Sequence, residues 1–270
     1  MPAHAHSENN VSLRGVVFDA YGTLFDVYSV AALAESLFPG KGAQIARQWR
    51  VSQLDYTRLR SLSERYAPFS VVTRDALRHA CASCGAVLDA EREAVLMGAY
   101  DRLLAFEEVR AAIERLRSRG LPIGILSNGD PPMLASAIAA AGLQGLIDHV
   151  LSADTVKRYK TAPEVYALAP AAFGCPAQSL LFVSSNGWDA CAATWYGFRT
   201  LWINRGHLML DELGVRPHRE GRTLDDVVRF ATELLQPAQP GGLQNGPQAT
   251  DSGARGSRGP SDDSSNSQLP

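Results

Sequence analysis

Four short apolar segments of the chain each run directly into polar residues. The first spans Leu13–Phe18 and is followed at once by Asp19. Continuous apolar runs rich in Val, Ile and Leu are typical of parallel strands that are buried on both faces. The other three segments have the same character: 121–126, 179–183 and 199–203. The pattern predicts a parallel sheet in which polar side chains follow the strands.

Helical periodicity fills most of the stretches between these segments. Apolar residues recur at helical spacing in Glu107–Arg119, Met133–Ala141 and Asp189–Tyr196. Each stretch stops at a glycine, which commonly ends a helix. The alternation of strand, polar loop and helix indicates an α/β fold with a doubly wound, Rossmann-like parallel sheet.

Residues 27–105 interrupt this alternation. They contain no convincing strand, and three segments have the periodicity of amphipathic helices: Gln44–Arg65, Thr73–Cys84 and Asp89–Leu104. We therefore predict a helical cap domain, residues 27–105, inserted after the first strand of a core domain formed by residues 12–26 and 106–234. Inserts at the carboxyl end of a parallel sheet commonly cover the active site.

The two ends of the chain differ in composition from the rest. Residues 1–11 lack the apolar stretch of a secretory signal, and we expect a short disordered leader there. From residue 235 onward Pro, Gly, Gln, Ser and Asp predominate, with almost no large apolar side chain. Such a segment cannot bury enough surface to offset its ordering entropy, so we predict a disordered tail at residues 235–270.

Charge and cysteine content narrow the classes of partner and compartment. Lys and Arg total 26 against 28 Asp and Glu, so we expect neither a nucleic acid nor a membrane surface as partner. Cys81 and Cys84 form a CxxC pair, but Cys175 and Cys191 do not complete the pattern of a four-ligand zinc site. We interpret the four thiols as reduced and structural, which favours the cytoplasm.

Side chains capable of chemistry follow the predicted strands. They are Asp19 and Thr23 after the first segment, Ser127 and Asn128 after the second, and Ser184, Asn186 and Asp189 after the third, with Lys160 and Tyr166 lying between the second and third. Because the carboxyl ends of parallel strands meet in one crevice, we expect these side chains to converge. A carboxylate such as Asp19, placed beside a lysine, can attack an electrophile and form a covalent ester.

Each of these features taken alone has an ordinary structural explanation. An Asp after a strand often caps a helix, and Ser-Asn-Gly is a common turn. Taken alone, Lys160 or Arg50 would be interpreted as a surface charge, and Leu54 and Phe69 as core residues. What favours a catalytic site is the order of the polar groups along successive strands.

The combined motifs resemble those of the haloacid dehalogenase superfamily, and within it the L-2-haloacid dehalogenases. The motifs are Asp-x-Tyr-Gly-Thr-Leu from Asp19, Leu-Ser-Asn-Gly from Leu126, a lysine at 160 before Val-Tyr, and Val-Ser-Ser-Asn-x-Trp-Asp-Ala from Val183. In the cap, Trp49-Arg50 and the segment Gln53-Leu-x-Tyr-Thr fit the same subgroup. The resemblance covers about residues 12–232.

Tyr21 separates this chain from the phosphatase branch of that superfamily. The branch usually has a second Asp two residues after the nucleophile, where it protonates a leaving oxygen; a halide needs no proton. The third motif has Ser184, Ser185 and Asn186 where phosphatases tend to place acids, which leaves few hard oxygen ligands for Mg²⁺. No metal and no other cofactor are therefore expected. Thr161 replaces a proline that family members often carry after the lysine.

The resemblance implies roles for the matching positions. Asp19 would attack C2 of an L-2-haloacid opposite the halogen, and water would hydrolyse the resulting aspartyl ester to a D-2-hydroxy acid. The residues implied to be catalytic are Asp19, Thr23, Arg50, Ser127, Lys160, Tyr166, Ser184, Asn186 and Asp189, and those implied to bind substrate or halide are Tyr21, Arg50, Leu54, Phe69, Ser127, Asn128, Lys160 and Trp188. It also implies a homodimer formed through the helical insert.

Three other functions stay open from the sequence. A sibling hydrolase could use the same Asp19 ester on another carbon electrophile, such as azetidine-2-carboxylate, because the pocket walls decide the substrate. A Mg²⁺ phosphatase is disfavoured by Tyr21. A non-catalytic binding protein has no need of Asp19, Lys160, Asn186 and Asp189 together.

Overall fold

The computed structural model describes residues 12–236, and within them the chain forms one parallel sheet of six strands. The strands are β1 (Gly15–Phe18), β2 (Ile123–Ser127), β3 (His149–Ser152), β4 (Leu180–Ser184), β5 (Arg199–Ile203) and β6 (Arg219–Gly221). Their spatial order is β3-β2-β1-β4-β5-β6, and every neighbouring pair is parallel. This is the doubly wound order, so the predicted fold class is confirmed.

Burial explains why the central strands could be predicted from the sequence. Every residue of β1, β2 and β4 is buried, as expected for strands that helices cover on both faces. The outer strands are different: β3 has a mixed burial pattern and β6 has only three residues. Neither outer strand contains an apolar run, and the sequence prediction missed both.

Nine α-helices accompany the sheet within the described residues. They are α1 (Ala31–Leu37), α2 (Gly42–Leu62), α3 (Phe69–Ser83), α4 (Ala90–Tyr100), α5 (Val109–Arg117), α6 (Pro131–Ala140), α7 (Pro163–Phe173), α8 (Gly187–Tyr196) and α9 (Leu224–Leu235). The six predicted helices correspond to α2, α3, α4, α5, α6 and α8, with ends shifted by a few residues. None of the nine is long and apolar enough to cross a membrane.

The helices α1–α4 form the insert between β1 and β2, where the sequence lacks strand patterns. Several hydrogen bonds tie this insert to the core, and one pair of them fixes the start of α3. The carboxylate of Asp130, which follows β2, accepts hydrogen bonds from the backbone N–H groups of Phe69 (2.5 Å) and Ser70 (2.9 Å). Asp130 therefore caps α3 from the core side. The domain boundaries stay a prediction, and both the predicted leader and residues 237–270 of the predicted tail lie outside the described residues.

The turn between α1 and α2 depends on a close approach at Gly42. The carboxylate of Glu35 accepts hydrogen bonds from the backbone N–H groups of Gly40 (2.5 Å) and Gly42 (2.8 Å). A Cβ atom at Gly42 would lie 2.2 Å from the backbone nitrogen of Glu35 and 2.3 Å from its Cα. Because those atoms belong to the backbone of α1, a side chain at this position must push the two helices apart.

We expect Gly42→Ala to lower the free energy of unfolding by about 1–3 kcal/mol, the usual cost of overpacking a closed contact. Gly98 in α4 provides the control, because a Cβ there would meet Arg102 at an ordinary 3.7 Å. Gly98→Ala should stabilise the protein by about 0.5–1 kcal/mol, as for other glycines inside helices. Urea denaturation of both variants measures the difference, and equal effects of one sign would contradict the prediction.

Candidate active site

The carboxylate of Asp19 lies at the carboxyl end of β1 and is held by three donors. Its Oδ1 accepts a hydrogen bond from Lys160 Nζ at 2.9 Å. Its Oδ2 accepts from Thr23 Oγ1 at 2.9 Å and from Asn186 Nδ2 at 3.1 Å. The side chain is almost fully buried. These contacts fix the orientation of the carboxylate toward the space between the core and the helical insert.

Lys160 joins Asp19 to a second buried carboxylate. Its ammonium lies 2.9 Å from Asp19 and 2.9 Å from Asp189, and the lysine is only 2% exposed. The other oxygen of Asp189 accepts a hydrogen bond from the hydroxyl of Tyr166 at 2.6 Å. A buried ion pair is tolerated only when its groups are paired and hydrogen-bonded, and here each carboxylate oxygen has a donor.

The charges in this cluster influence one another. Burial alone would lower the pKa of Lys160, but the carboxylates of Asp189 and Asp19 outweigh it and raise that pKa above the usual lysine value. Burial raises the pKa of Asp189 above the usual range, although Lys160 opposes the change. Burial, reinforced by Asp189, also raises the pKa of Tyr166 well above its ordinary value, so Tyr166 stays a hydrogen-bond donor.

Two loops complete the polar side of the site. After β4, the backbone N–H of Asn186 donates to Ser184 Oγ at 3.1 Å, and that of Ser185 donates to Thr23 Oγ1 at 2.8 Å. After β2, the side-chain oxygen of Asn128 accepts from the backbone N–H of Lys160 at 2.9 Å. Asn128, in the loop after β2, therefore helps to position Lys160, whose ammonium pairs with Asp19 at the end of β1.

Ser127 and Arg50 complete the set of predicted polar residues. Ser127 is fully buried at the end of β2 and accepts a hydrogen bond from the backbone N–H of Gly129 at 3.1 Å. Arg50 projects from α2 toward the core. Its Nη2 donates to the backbone oxygen of Tyr21 at 3.2 Å and to Asn186 Oδ1 at 3.3 Å. Arg50 therefore closes the site from the side of the insert.

A small cavity lies between the core and the insert. Its walls contain Asp19, Tyr21, Arg50, Leu54, Phe69, Ser127, Asn128, Lys160, Asn186 and Trp188. All the residues that the sequence predicted to bind substrate are among them. Thr23, Ser184 and Asp189 lie behind this wall, hydrogen-bonded to Asp19, Asn186 and Lys160 respectively. Tyr166 lies behind Asp189 and donates to it.

The apolar side of the cavity is aromatic. The rings of Tyr21 and Phe69 lie 5.4 Å apart, and Tyr100 stacks on Tyr21 at 5.6 Å. The Tyr21 hydroxyl is buried without a hydrogen-bond partner, and burial raises its pKa well above the ordinary value. Trp188, which also lines the cavity, is partly exposed, with the guanidinium of Arg58 5.2 Å from the centre of its ring.

Sequence reasoning missed several polar residues that support this site. Gln53 contacts Arg50 (2.9 Å), Thr73 (2.7 Å) and Tyr100 (3.0 Å), so it links three helices of the insert. Asp130 was also missed: as Asp-Pro-Pro before α6 it resembles a cap of that helix, yet its carboxylate caps α3 instead. The sequence signal for Gln53 was its position three residues after Arg50, on the same face of a helix.

The donor set of the site is poor in metal ligands. Within residues 12–236, no group of three or more His, Cys, Asp or Glu side chains is placed to hold a metal ion. The two carboxylates that approach one another, Asp19 and Asp189, already share the ammonium of Lys160.

Comparison with known proteins assigns the family. The family model for haloacid dehalogenase-like hydrolases matches residues 13–197, and the chain belongs to this family. An (S)-2-haloacid dehalogenase of Pseudomonas sp. (strain YL) is 44% identical over 229 residues, which are 85% of this chain and 99% of that relative. The resemblance inferred from the motifs is thereby confirmed.

Solved structures agree with this assignment. A crystal structure of an L-2-haloacid dehalogenase has 57% sequence identity and a TM-score of 0.81, and the match covers 82% of this chain and 99% of that one. The L-2-haloacid dehalogenase from Xanthobacter autotrophicus with chloropropionic acid covalently bound has 35% identity and a TM-score of 0.76, over 82% of this chain and 98% of that one.

We expect Lys160→Met to lower the free energy of unfolding by about 3–5 kcal/mol at neutral pH, because it leaves buried carboxylates without their cation. Without the lysine, burial keeps the pKa of Asp189 raised, so the folded state holds a proton that the unfolded state releases. Stability of the variant should therefore rise as pH falls through that raised pKa toward about 4, the ordinary Asp value, and the deficit relative to wild type should narrow.

Lys157→Met is the matched control, since the ammonium of Lys157 pairs with Asp154 at an exposed site. Its cost should stay below about 1 kcal/mol, the usual limit for a surface ion pair. Denaturant unfolding of both variants at several pH values measures these quantities. A deficit of Lys160→Met that is small, or that does not change with pH, would refute the description of the buried cluster.

Proposed function

We propose that this protein hydrolyses the carbon–halogen bond of L-2-haloalkanoic acids, releasing halide and a D-2-hydroxy acid through an aspartyl ester on Asp19. The observation that carries the proposal is the position of Asp19, a carboxylate held by three donors at the edge of a small cavity that is polar on one side and aromatic on the other. The relatives' names and the covalently bound chloropropionic acid in one of them support it.

The first half of the reaction is a substitution at carbon. An oxygen of Asp19 attacks C2 from the side opposite the halogen, the new C–O bond forms as the carbon–halogen bond breaks, and the configuration inverts. Lys160 offsets the repulsion between the attacking carboxylate and the carboxylate of the substrate. Arg50, Asn128 and Phe69 line the cavity where the halide leaves, and the guanidinium of Arg50 offers the positive charge that the anion requires.

Substrate binding divides between the polar and the apolar walls. Ser127 already accepts a hydrogen bond from Gly129, so its hydroxyl hydrogen can be donated to the substrate carboxylate together with backbone N–H groups near Asn128. Tyr21, Leu54 and Trp188 form the wall for the alkyl group.

The second half of the reaction is hydrolysis of the ester at the carbonyl carbon of Asp19. Water attacks this carbon, the bond between the carbon and the ester oxygen breaks, and the hydroxy acid leaves as the carboxylate of Asp19 is restored. Asp189, which shares the ammonium of Lys160 with Asp19, takes the proton from the water and returns it to the departing oxygen; burial raises the pKa of Asp189 and makes it a stronger base. Asn186 orients the ester through its contact with Asp19, and Tyr166 holds Asp189. Thr23 and Ser184 keep the loop after β4 in place.

This chemistry needs no metal, because a halide leaves as an anion without protonation. The position between the two carboxylates, where a divalent cation would balance their charge, is taken by the ammonium of Lys160. The ammonium of Lys160 therefore supplies the positive charge that a divalent cation would supply at this position.

The proposal includes a homodimer that forms through the insert and a reducing compartment such as the cytoplasm. On α2, Val51, Leu59 and Leu62 expose 51%, 60% and 83% of their surface, an apolar face that a second copy would cover. The four cysteines are unpaired. Sedimentation velocity should show a dimer, and a protein that is monomeric at micromolar concentration would remove this part of the proposal.

We expect halide release from L-2-chloropropionate, with D-lactate as product, and no release from the D enantiomer. Release should be unchanged in EDTA, because Lys160 supplies the positive charge. With enzyme in excess in H₂¹⁸O, the hydroxyl oxygen of lactate should come from Asp19 and carry no label, while mass spectrometry of the protein should find ¹⁸O in that carboxylate. Label in the lactate of a first turnover would mean direct attack by water and would sink the ester mechanism.

Two outcomes would redirect the assignment. Turnover of azetidine-2-carboxylate with no release from any haloacid would select the sibling hydrolase, which uses the same ester. Release of phosphate from aryl phosphates that stops with EDTA would select a phosphatase. Asp19→Ala is the control in each assay, and it should abolish turnover; because it removes one carboxylate from the buried cluster, its thermal unfolding midpoint should fall while the transition stays cooperative.

A further inference from the structure

The guanidinium of Arg50 is positioned by Gln53, a residue of the same helix. Its contacts with the core are long, at 3.2 Å to the backbone oxygen of Tyr21 and 3.3 Å to Asn186. Its shortest hydrogen bond is the one from Nη1 to Gln53 Oε1, at 2.9 Å. Because arginine has five donors and no acceptor, the atom of Gln53 that faces it must be the amide oxygen.

Gln53 is itself held from two other helices of the insert. The side chain is fully buried. Its Nε2 donates to Thr73 Oγ1 on α3 at 2.7 Å, and its Oε1 also accepts from the hydroxyl of Tyr100 on α4 at 3.0 Å. Both lone pairs of the amide oxygen are therefore used, and the amide cannot turn over without breaking all three contacts.

The chemical type of residue 53 matters as much as its position. A neutral amide orients the guanidinium but leaves its charge uncompensated, whereas a carboxylate would form a charge-assisted bidentate pair and satisfy it. Among residues 12–236, no carboxylate forms an ion pair with Arg50. The positive charge is thus kept available beside the cavity.

We propose that Gln53 is the positioning residue that holds Arg50 over the reaction cavity, and that its neutral amide keeps the guanidinium charge free for the departing halide. The inference rests on the proposed function, since it deepens the role of Arg50 in that reaction. It assigns Thr73 and Tyr100 the task of fixing Gln53, and it makes the amide of residue 53 a determinant of halide affinity.

Bromide binding to the resting protein tests the proposal without turnover. Titration with NaBr at constant ionic strength, followed by tryptophan fluorescence and by calorimetry, gives the dissociation constant. Gln53→Glu should weaken bromide binding at least about tenfold, because the new carboxylate competes for the guanidinium, a change of about 1.4 kcal/mol in binding free energy. Gln53→Met should weaken it less, because orientation is lost while the charge remains.

Gln48 supplies the matched control on the same helix. Its amide donates to Ser52 at 3.1 Å, and it lines no part of the cavity. Gln48→Glu adds the same charge, and bromide affinity and turnover should stay within about twofold of wild type. Thr73→Val provides a milder variant if Gln53→Glu does not fold, and it should weaken bromide binding about threefold by releasing Gln53.

The kinetic signature separates this role from a merely structural one. In Gln53→Glu, kcat with L-2-chloropropionate should fall more than kcat with L-2-bromopropionate, because the poorer leaving group needs more stabilisation from Arg50. KM should change less than kcat, since Ser127 and the loop after β2 hold the substrate carboxylate. Equal losses for both halogens in a stably folded variant would overturn the inference.

The outcomes keep the two proposals apart. If wild-type protein releases halide but Gln53→Glu binds bromide as tightly as Gln48→Glu, the role of Gln53 is refuted and the function stands. If wild-type protein releases no halide, yet bromide binds and the binding weakens in Gln53→Glu, the positioning role holds and the dehalogenase assignment is the part that fails.

Discussion

The ammonium of Lys160 between Asp19 and Asp189 is the constraint on which the rest of the site depends. Three charged groups in a nearly dry interior are tolerated only if every oxygen and proton has a partner. Thr23, Asn186 and Tyr166 are those partners, and they come from separate segments of the chain. The cluster therefore forces β1, the loop after β4, α7 and α8 to meet at one point, and that point is where Asp19 faces the cavity.

The sheet makes this meeting possible because its order changes direction between β1 and β4. These two strands are neighbours although more than half of the described chain separates them in sequence, and the crevice beyond such a pair is where α/β proteins bind ligands. The insert after β1 then covers the crevice with its own helices. Polar chemistry is thus supplied mainly by the core, while Arg50, Leu54 and Phe69 bring charge and apolar surface from above.

The elements that could be predicted from the sequence are those in which the local apolar pattern matches the burial of the residues. Runs such as Leu180–Val183 are typical of buried parallel strands, whereas β3 has a mixed burial pattern and β6 is too short to leave a pattern. The motif residues could be placed through the family resemblance, and Asp19, Ser127 and Ser184 also because each lies at the end of a strand. The roles of Gln53 and Asp130 could not be predicted in this way. Periodicity places a residue on a helix face or at a helix cap, but it does not identify the distant group that its side chain contacts.

The hydrogen bonds from Phe69 and Ser70 to Asp130 have a consequence for how such an enzyme could change over evolution. They join the start of α3 to the loop after β2, so Phe69 of the aromatic wall and the loop that we propose to bind the substrate carboxylate are held together. Substitutions that enlarge this wall would, on that proposal, also disturb the contacts with the carboxylate. Leu54 lies on α2, outside that pair of segments. Substitutions of Leu54 can therefore widen the range of substrate alkyl groups that fit the cavity, while the proposed recognition of the substrate carboxylate is inherited unchanged.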